Sequence, residues 1–152
     1  MLPTPRKFFV TAGKAEGETP LTAFDNALMD AKIGNLNLIR VTSILPPEAQ
    51  YCPEIQIPSG SLVPTAYGYI ISEVPGELIA AAVGVGLSGD SFGVIMEYSG
   101  RCSEKEAYQN IESMLKEAFE RRGMELVEIK VASVEHRVRR IGCALAAVPL
   151  WY

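Results

Sequence analysis

Thr42 and Ser43 stand at the end of a stiff run, Asn35 to Ile44, and just before the double proline Pro46-Pro47. A hydroxyl held between a strand and a proline-rigid segment can be aimed at the preceding carbonyl carbon, which free peptides rarely manage. Attack by Ser43 Oγ on the Thr42 carbonyl exchanges the amide for an ester. Loss of the Ser43 α-proton then expels the Thr42 carboxylate and leaves dehydroalanine. Hydrolysis turns that into a pyruvoyl group, a ketone electrophile that no standard side chain supplies. Two carboxylates could work beside such a group. Glu97 ends the apolar run Phe92 to Met96, where burial would keep a proton on it near neutral pH; an exposed carboxylate at a strand terminus fits the residues equally. Asp25, with Phe24 and Leu28 beside it, could accept two parallel hydrogen bonds from a guanidinium, or be an ordinary solvated helix residue.

These groups need elements to hold them. Phe8 to Thr11 reads as a strand, followed by a turn through Gly13 and Gly17. Thr19-Pro20 opens a helix with Phe24, Ala27, Leu28 and Ala31 as its stripe, and Gly34 ends it. Leu36 to Ile44 reads as one strand. Leu45 to Pro58, with four prolines, is a loop or edge segment. Strands are expected over Ala66 to Val74, Leu78 to Leu87 and Phe92 to Tyr98, separated by Pro75-Gly76 and Ser88-Gly89-Asp90. Ser103-Glu-Lys-Glu106 has a capping-box pattern, and Ala107, Ile111, Met114, Leu115, Ala118 and Phe119 line one face until Gly123. Strands around Leu126 to Val134 and Ala144 to Leu150 complete the chain. Two long helices among β-rich segments predict an α/β sandwich rather than a Rossmann alternation.

The 152 residues, 48% hydrophobic, suit one domain with a sizeable core. A net charge of −4 argues against nucleic-acid partners, and the local cluster Arg137, Arg139, Arg140 reads as a solvated strand face. Asp and Glu interrupt every apolar run, so no membrane span is expected. No N-terminal segment has the apolar core of a signal peptide, which predicts a cytoplasmic protein. Cys52, Cys102 and Cys143 are widely separated and odd in number, fitting neither a disulfide framework nor metal-ligand spacing. His136 is the single histidine, so no multi-histidine metal site is possible; it reads as structural. Gly84-Val-Gly86-Leu-Ser-Gly89 satisfies GxGxxG, but a strand-like stretch follows where a dinucleotide site needs a helix. Close sheet packing or a bulge is the better reading of those glycines.

Longer blocks carry a family likeness: Gly17-Glu-Thr-Pro-Leu-Thr-Ala-Phe-Asp25, Gly34-Asn-Leu-Asn-Leu-Ile-Arg-Val-Thr-Ser-Ile-Leu-Pro-Pro-Glu-Ala49, Leu62-Val-Pro-Thr-Ala-Tyr-Gly-Tyr-Ile-Ile-Ser72, Ile95-Met-Glu-Tyr98, Gly142-Cys-Ala and the terminal Leu-Trp-Tyr. Spread over nearly the whole chain, they resemble the pyruvoyl-dependent arginine decarboxylases. Thr42 departs from the serine that the resemblance places there, keeping a hydroxyl and adding a methyl. The resemblance implies a four-layer αββα sandwich of the pyruvoyl-dependent histidine/arginine decarboxylase type. It implies a single domain, 1–152, cut into 1–42 and 43–152, with a covalent pyruvoyl group from Ser43 and neither pyridoxal phosphate nor metal. L-arginine would form a Schiff base with that group and leave as agmatine and CO2. The resemblance further assigns catalysis to Glu97 and to Asn37, the latter assisting cleavage at the Thr42 carbonyl. Six positions before Ser43, Asn37 is too far for contact within a straight strand, and by itself reads as a turn residue after Gly34. Asp25 would anchor the guanidinium, with Leu28, Gly34 and Leu36 forming part of the pocket. The assembly would be a homotrimer of cleaved protomers, or a dimer of trimers, with active sites between subunits. Two rival expectations are the same cofactor acting on another amino acid, and an uncleaved, non-catalytic oligomeric ligand-binding homologue.

Overall fold

A computed structural model of the chain describes residues 1–152. Its spine is β10 (Gly142–Trp151), nine of whose ten residues are buried. Along one edge β10 pairs antiparallel with β6 (Leu62–Ser72). Along the other it takes β2 (Thr11–Glu16) over its first part and β1 (Lys7–Phe8) at its end. Two parallel additions finish this sheet: β3 (Asn37–Arg40) beyond β6, and β5 (Gln50–Tyr51) beyond β1. The second sheet is antiparallel, in the order β4 (Ile44–Leu45), β8 (Gly93–Gly100), β7 (Leu78–Leu87), β9 (Glu128–Arg137).

Strand alternation decides how the layers stack. Ala144, Ala146, Val148 and Leu150 of β10 face Ile79, Ala81, Val83 and Val85 of β7 in the core between the sheets. The opposite face of β10, with Cys143, Leu145 and Ala147, meets Ala23, Ala27 and Leu28 of helix α1 (Pro20–Asp30). The opposite face of β7 meets Ala107, Ile111 and Leu115 of helix α2 (Glu104–Arg122). The result is the expected sandwich of helix, sheet, sheet and helix. Gly84 and Gly86 belong to this packing: a Cβ on Gly84 would stand 2.3 Å from Ile111, and one on Gly86 2.5 Å from Phe119. Helix α2 lies directly on β7 there, and another strand, β8, follows in sequence.

Both helices carry their caps. Thr19 accepts the Thr22 amide while the Thr22 hydroxyl accepts the Thr19 amide, so the reciprocal box forms at α1. At α2, Ser103 accepts the Glu106 amide at 3.2 Å, and Gly123, with φ 62°, closes the far end in the left-handed region.

Four expectations need correction. Gly13 lies within β2, not in a turn: a Cβ there would stand 2.3 Å from Ala27 O, so the glycine admits α1 to the strand. The predicted strand Phe8 to Thr11 is broken between β1 and β2, which lie end to end along β10. Helix α1 stops at Asp30, before Gly34, because Lys32 takes the left-handed turn with φ 66°. Most consequential, Leu36 to Ile44 is not one strand. β3 stays in the first sheet and β4 joins the second, so residues 41–43 cross between them. The apolar pattern runs on through the break, since both sheets demand it.

Candidate active site

The crossover is held at both ends. Val41 N–H donates to Thr65 O of the first sheet at 3.1 Å, and Ser43 O accepts from Ile95 N–H of the second at 2.7 Å. The Thr42-Ser43 bond therefore spans two rigid sheets, the restraint that intramolecular attack by a hydroxyl requires. Thr42 is exposed and Ser43 half-buried.

Glu97, on β8, shares a cleft of about 530 Å³ with Thr42 and Ser43; Arg40, Val41, Ile95, Met96 and Met114 complete its wall. Burial pushes the Glu97 carboxyl above the ordinary carboxylate range, and the Arg40 guanidinium, 3.8 Å away, pulls against that shift. The carboxyl is accordingly a group that retains its proton to higher pH than a solvated glutamate. Its stem rests on β6 at Gly68, where a Cβ would stand 3.1 Å from Glu97 Cγ. If the Glu97 carboxyl serves the chemistry expected of it, Gly68→Ala should lower kcat about tenfold by displacing it, since small misplacements at a reacting centre are amplified. An unchanged thermal midpoint beside the reduced kcat would separate this effect from unfolding.

The other sequence candidates lie elsewhere on the chain. Asn37, at the start of β3, donates from Nδ2 to Gly60 O at 3.0 Å and is not in the cleft wall. Asp25 is exposed on α1 and takes part in none of the ion pairs within the chain. Leu28 is buried beneath the same helix. Gly34 and Leu36 line a separate cavity of about 730 Å³ between the end of α1 and the segment around Ile55. One protomer thus brings together Ser43, Thr42 and Glu97, and leaves Asp25, Gly34, Leu36 and Asn37 outside their cleft. Sequence reasoning missed Arg40 and Gly68. Nothing in the pattern links positions 40 or 68 to 97, because the link is made by two sheets facing each other.

His136 is structural, as read: its Nε2 lies 2.5 Å from Glu16 Oε2, which ties β9 to the end of β2. Glu16 also accepts the amides of Arg139, Arg140 and Ile141, fixing the turn before β10. Burial opposes ionisation of Glu16, but the Arg140 and Arg139 amides and His136 together hold its carboxyl below the usual range.

A carbonyl group made from Ser43 fits what surrounds that residue. The Ser43 backbone carbonyl already has a 2.7 Å donor in Ile95 N–H, and a half-buried acid lines the same cleft. Comparison with known proteins agrees. The sequence model of the pyruvoyl-dependent arginine decarboxylases matches residues 7–152. Among relatives, a pyruvoyl-dependent arginine decarboxylase of Methanocaldococcus jannaschii is 55% identical over 150 residues, covering 97% of this chain and 91% of its own. One from Methanococcus maripaludis is 49% identical, covering 97% and 92%, and one from Pyrococcus furiosus 44%, covering 97% and 96%. With a match of this length and identity, laid over a cleft that Ser43 shares with a half-buried acid, the chain belongs to the pyruvoyl-dependent arginine decarboxylase family.

Proposed function

We propose that this chain cleaves itself between Thr42 and Ser43 into fragments 1–42 and 43–152, and that the product decarboxylates L-arginine to agmatine and CO2. The observation that carries the reading is the cleft in which the Thr42-Ser43 bond and the half-buried Glu97 carboxyl meet. In the first stage Ser43 Oγ attacks the Thr42 carbonyl, the ester forms, and loss of the Ser43 α-proton expels the Thr42 carboxylate. Ile95 N–H, bonded to Ser43 O, polarises the carbonyl next to that α-carbon and makes its proton easier to lose. The dehydroalanine left behind tautomerises, takes up water and releases ammonia.

In the second stage the pyruvoyl group supplies an electron-accepting carbonyl conjugated to the substrate amine. Ile95 N–H again faces the carbonyl on which negative charge develops. Glu97 gives its proton to the α-carbon once CO2 has left. Asp25 anchors the guanidinium, with Leu28, Gly34 and Leu36 shaping that end of the pocket, and Asn37 assists cleavage. Since these residues lie outside the cleft of their own chain, the complete site takes them from a neighbouring copy in a homotrimer. Ile39 and Leu62, on adjoining strands, and Leu21 and Met29 of α1 are large apolar side chains left exposed in the single chain, in keeping with such an interface. We place the activity in the cytoplasm; no helix is long and apolar enough to cross a membrane.

Intact mass under denaturing conditions tests the first stage: active protein should give two pieces, the larger blocked at its N-terminus by a carbonyl. One full-length species from active protein would overturn it. Product analysis with arginine, ornithine, lysine and histidine tests the second, with agmatine expected as the main amine. Asp25→Asn should raise KM for arginine by about tenfold to a hundredfold through loss of a bidentate charge pair, with cleavage intact. An unchanged KM would remove Asp25 from the role.

A further inference from the structure

Arg40 stands two residues before the Thr42-Ser43 bond, at the last pairing of β3 with β6, beyond which the edge of β6 runs on alone. Its guanidinium fills the place of the missing strand. Nη2 donates to Tyr67 O at 2.6 Å, and Cζ lies 4.6 Å from the centroid of the Tyr67 ring. The same Nη2 is 3.8 Å from Glu97 Oε1. Donation in the plane and stacking on an aromatic face together suit arginine and not lysine.

We propose that Arg40 is a positioning residue for the proton donor: clamped to β6 at Tyr67, its guanidinium holds the Glu97 side chain in the cleft and stabilises the carboxylate left when the proton is delivered. This rests on Glu97 being the donor in the proposed decarboxylation. Within its own chain no other charge lines the cleft. β6 presents Tyr67 and Gly68, β7 pairs Val83 with Glu97, the crossover brings Thr42 and Ser43, and α2 contributes Met114. Among the lining residues Arg40 is the single cation and Glu97 the single anion.

Burial favours protonated Glu97 and the cation favours the carboxylate. Removing the cation therefore keeps the proton on Glu97 to higher pH but makes it a weaker acid at the moment of transfer. For fully cleaved Arg40→Gln, kcat near neutral pH should fall about tenfold, the loss of one charge-assisted contact, and the alkaline limb of kcat should move upward. KM for arginine should change less than about threefold, because the contact is made to the acid and not to the substrate. Arg40→Lys, which keeps the charge but loses the two-point hold on Tyr67, should move the limb less than Arg40→Gln does. Should Arg40→Gln fail to cleave, the 13C-carboxyl titration of Glu97 in uncleaved Ser43→Ala protein, with and without Arg40→Gln, gives the same reading without turnover. An unmoved limb and an unmoved Glu97 titration would overturn the proposal. If Glu97→Gln itself retained full kcat, the donor assignment would fall first; an impaired Glu97→Gln beside an unmoved Arg40→Gln would remove Arg40 alone.

Discussion

Ser43→Ala is expected to give a single 152-residue chain with no detectable decarboxylation, the largest effect any one substitution here should have. One oxygen atom carries the effect. In the proposed cleavage Ser43 Oγ is both the acceptor for the Thr42 acyl group and, in the ester, part of the leaving group that elimination expels; alanine can do neither. The fold should not notice the change, since residues 41–43 are held through main-chain bonds, Val41 N–H to Thr65 O and Ile95 N–H to Ser43 O, which alanine leaves intact. Ser43→Cys separates chemistry from geometry. A thiol can take the acyl group as a thioester, and elimination of the thiocarboxylate yields the same dehydroalanine, so slow cleavage to the same blocked terminus is expected. Intact mass and agmatine formation measure both variants. Cleaved, active Ser43→Ala protein would show that another bond, or another cofactor, does the work.

Legibility in the sequence was uneven, for physical reasons. Helix α2 could be read almost to the residue, because Ser103 and Gly123 are caps whose chemistry is local and its stripe faces one partner. β7 was equally plain, a run of small and β-branched residues covered on both faces. Gly13 misled because a glycine needed for close helix contact has the same letter as one needed for a turn. The crossover at 41–43 was hidden for a subtler reason: two stacked sheets impose the same alternation, so moving from one to the other leaves no mark on the periodicity. That hidden step places the proposed scissile bond. Ser43 and Glu97 could be named individually from hydroxyl chemistry and from a carboxylate closing an apolar run, but their meeting depends on β4 pairing with β8. Arg40 was silent, as its contact with Tyr67 exists only where β3 ends and β6 continues.

Glu97→Gln should follow Ser43→Ala in severity, with kcat lowered by about 10² to 10⁴, the span usual for loss of a general acid. That is roughly 3 to 5.5 kcal/mol of barrier at about 1.4 kcal/mol per tenfold. Glutamine matches glutamate in size and can still rest against Gly68, so packing in the cleft is preserved while the transferable proton is lost. The pH dependence gives the sharper reading. Burial holds the Glu97 carboxyl above its ordinary range, so the proton is present at low pH and is lost as pH rises through that raised value. Decarboxylation by the parent protein should therefore fall on the alkaline side, and the glutamine variant, which has nothing there to titrate, should lose that limb along with most of its rate. Glu97→Asp keeps an acid but withdraws it by one methylene, and should retain the limb with a smaller loss of kcat. These measurements are made on fully cleaved protein, with the cleaved fraction determined by mass, so that a defect in maturation is not counted against turnover. A loss under tenfold with the limb retained would assign the proton to another group, and the half-buried carboxyl in the cleft would then have to be explained by its contact with Arg40 alone.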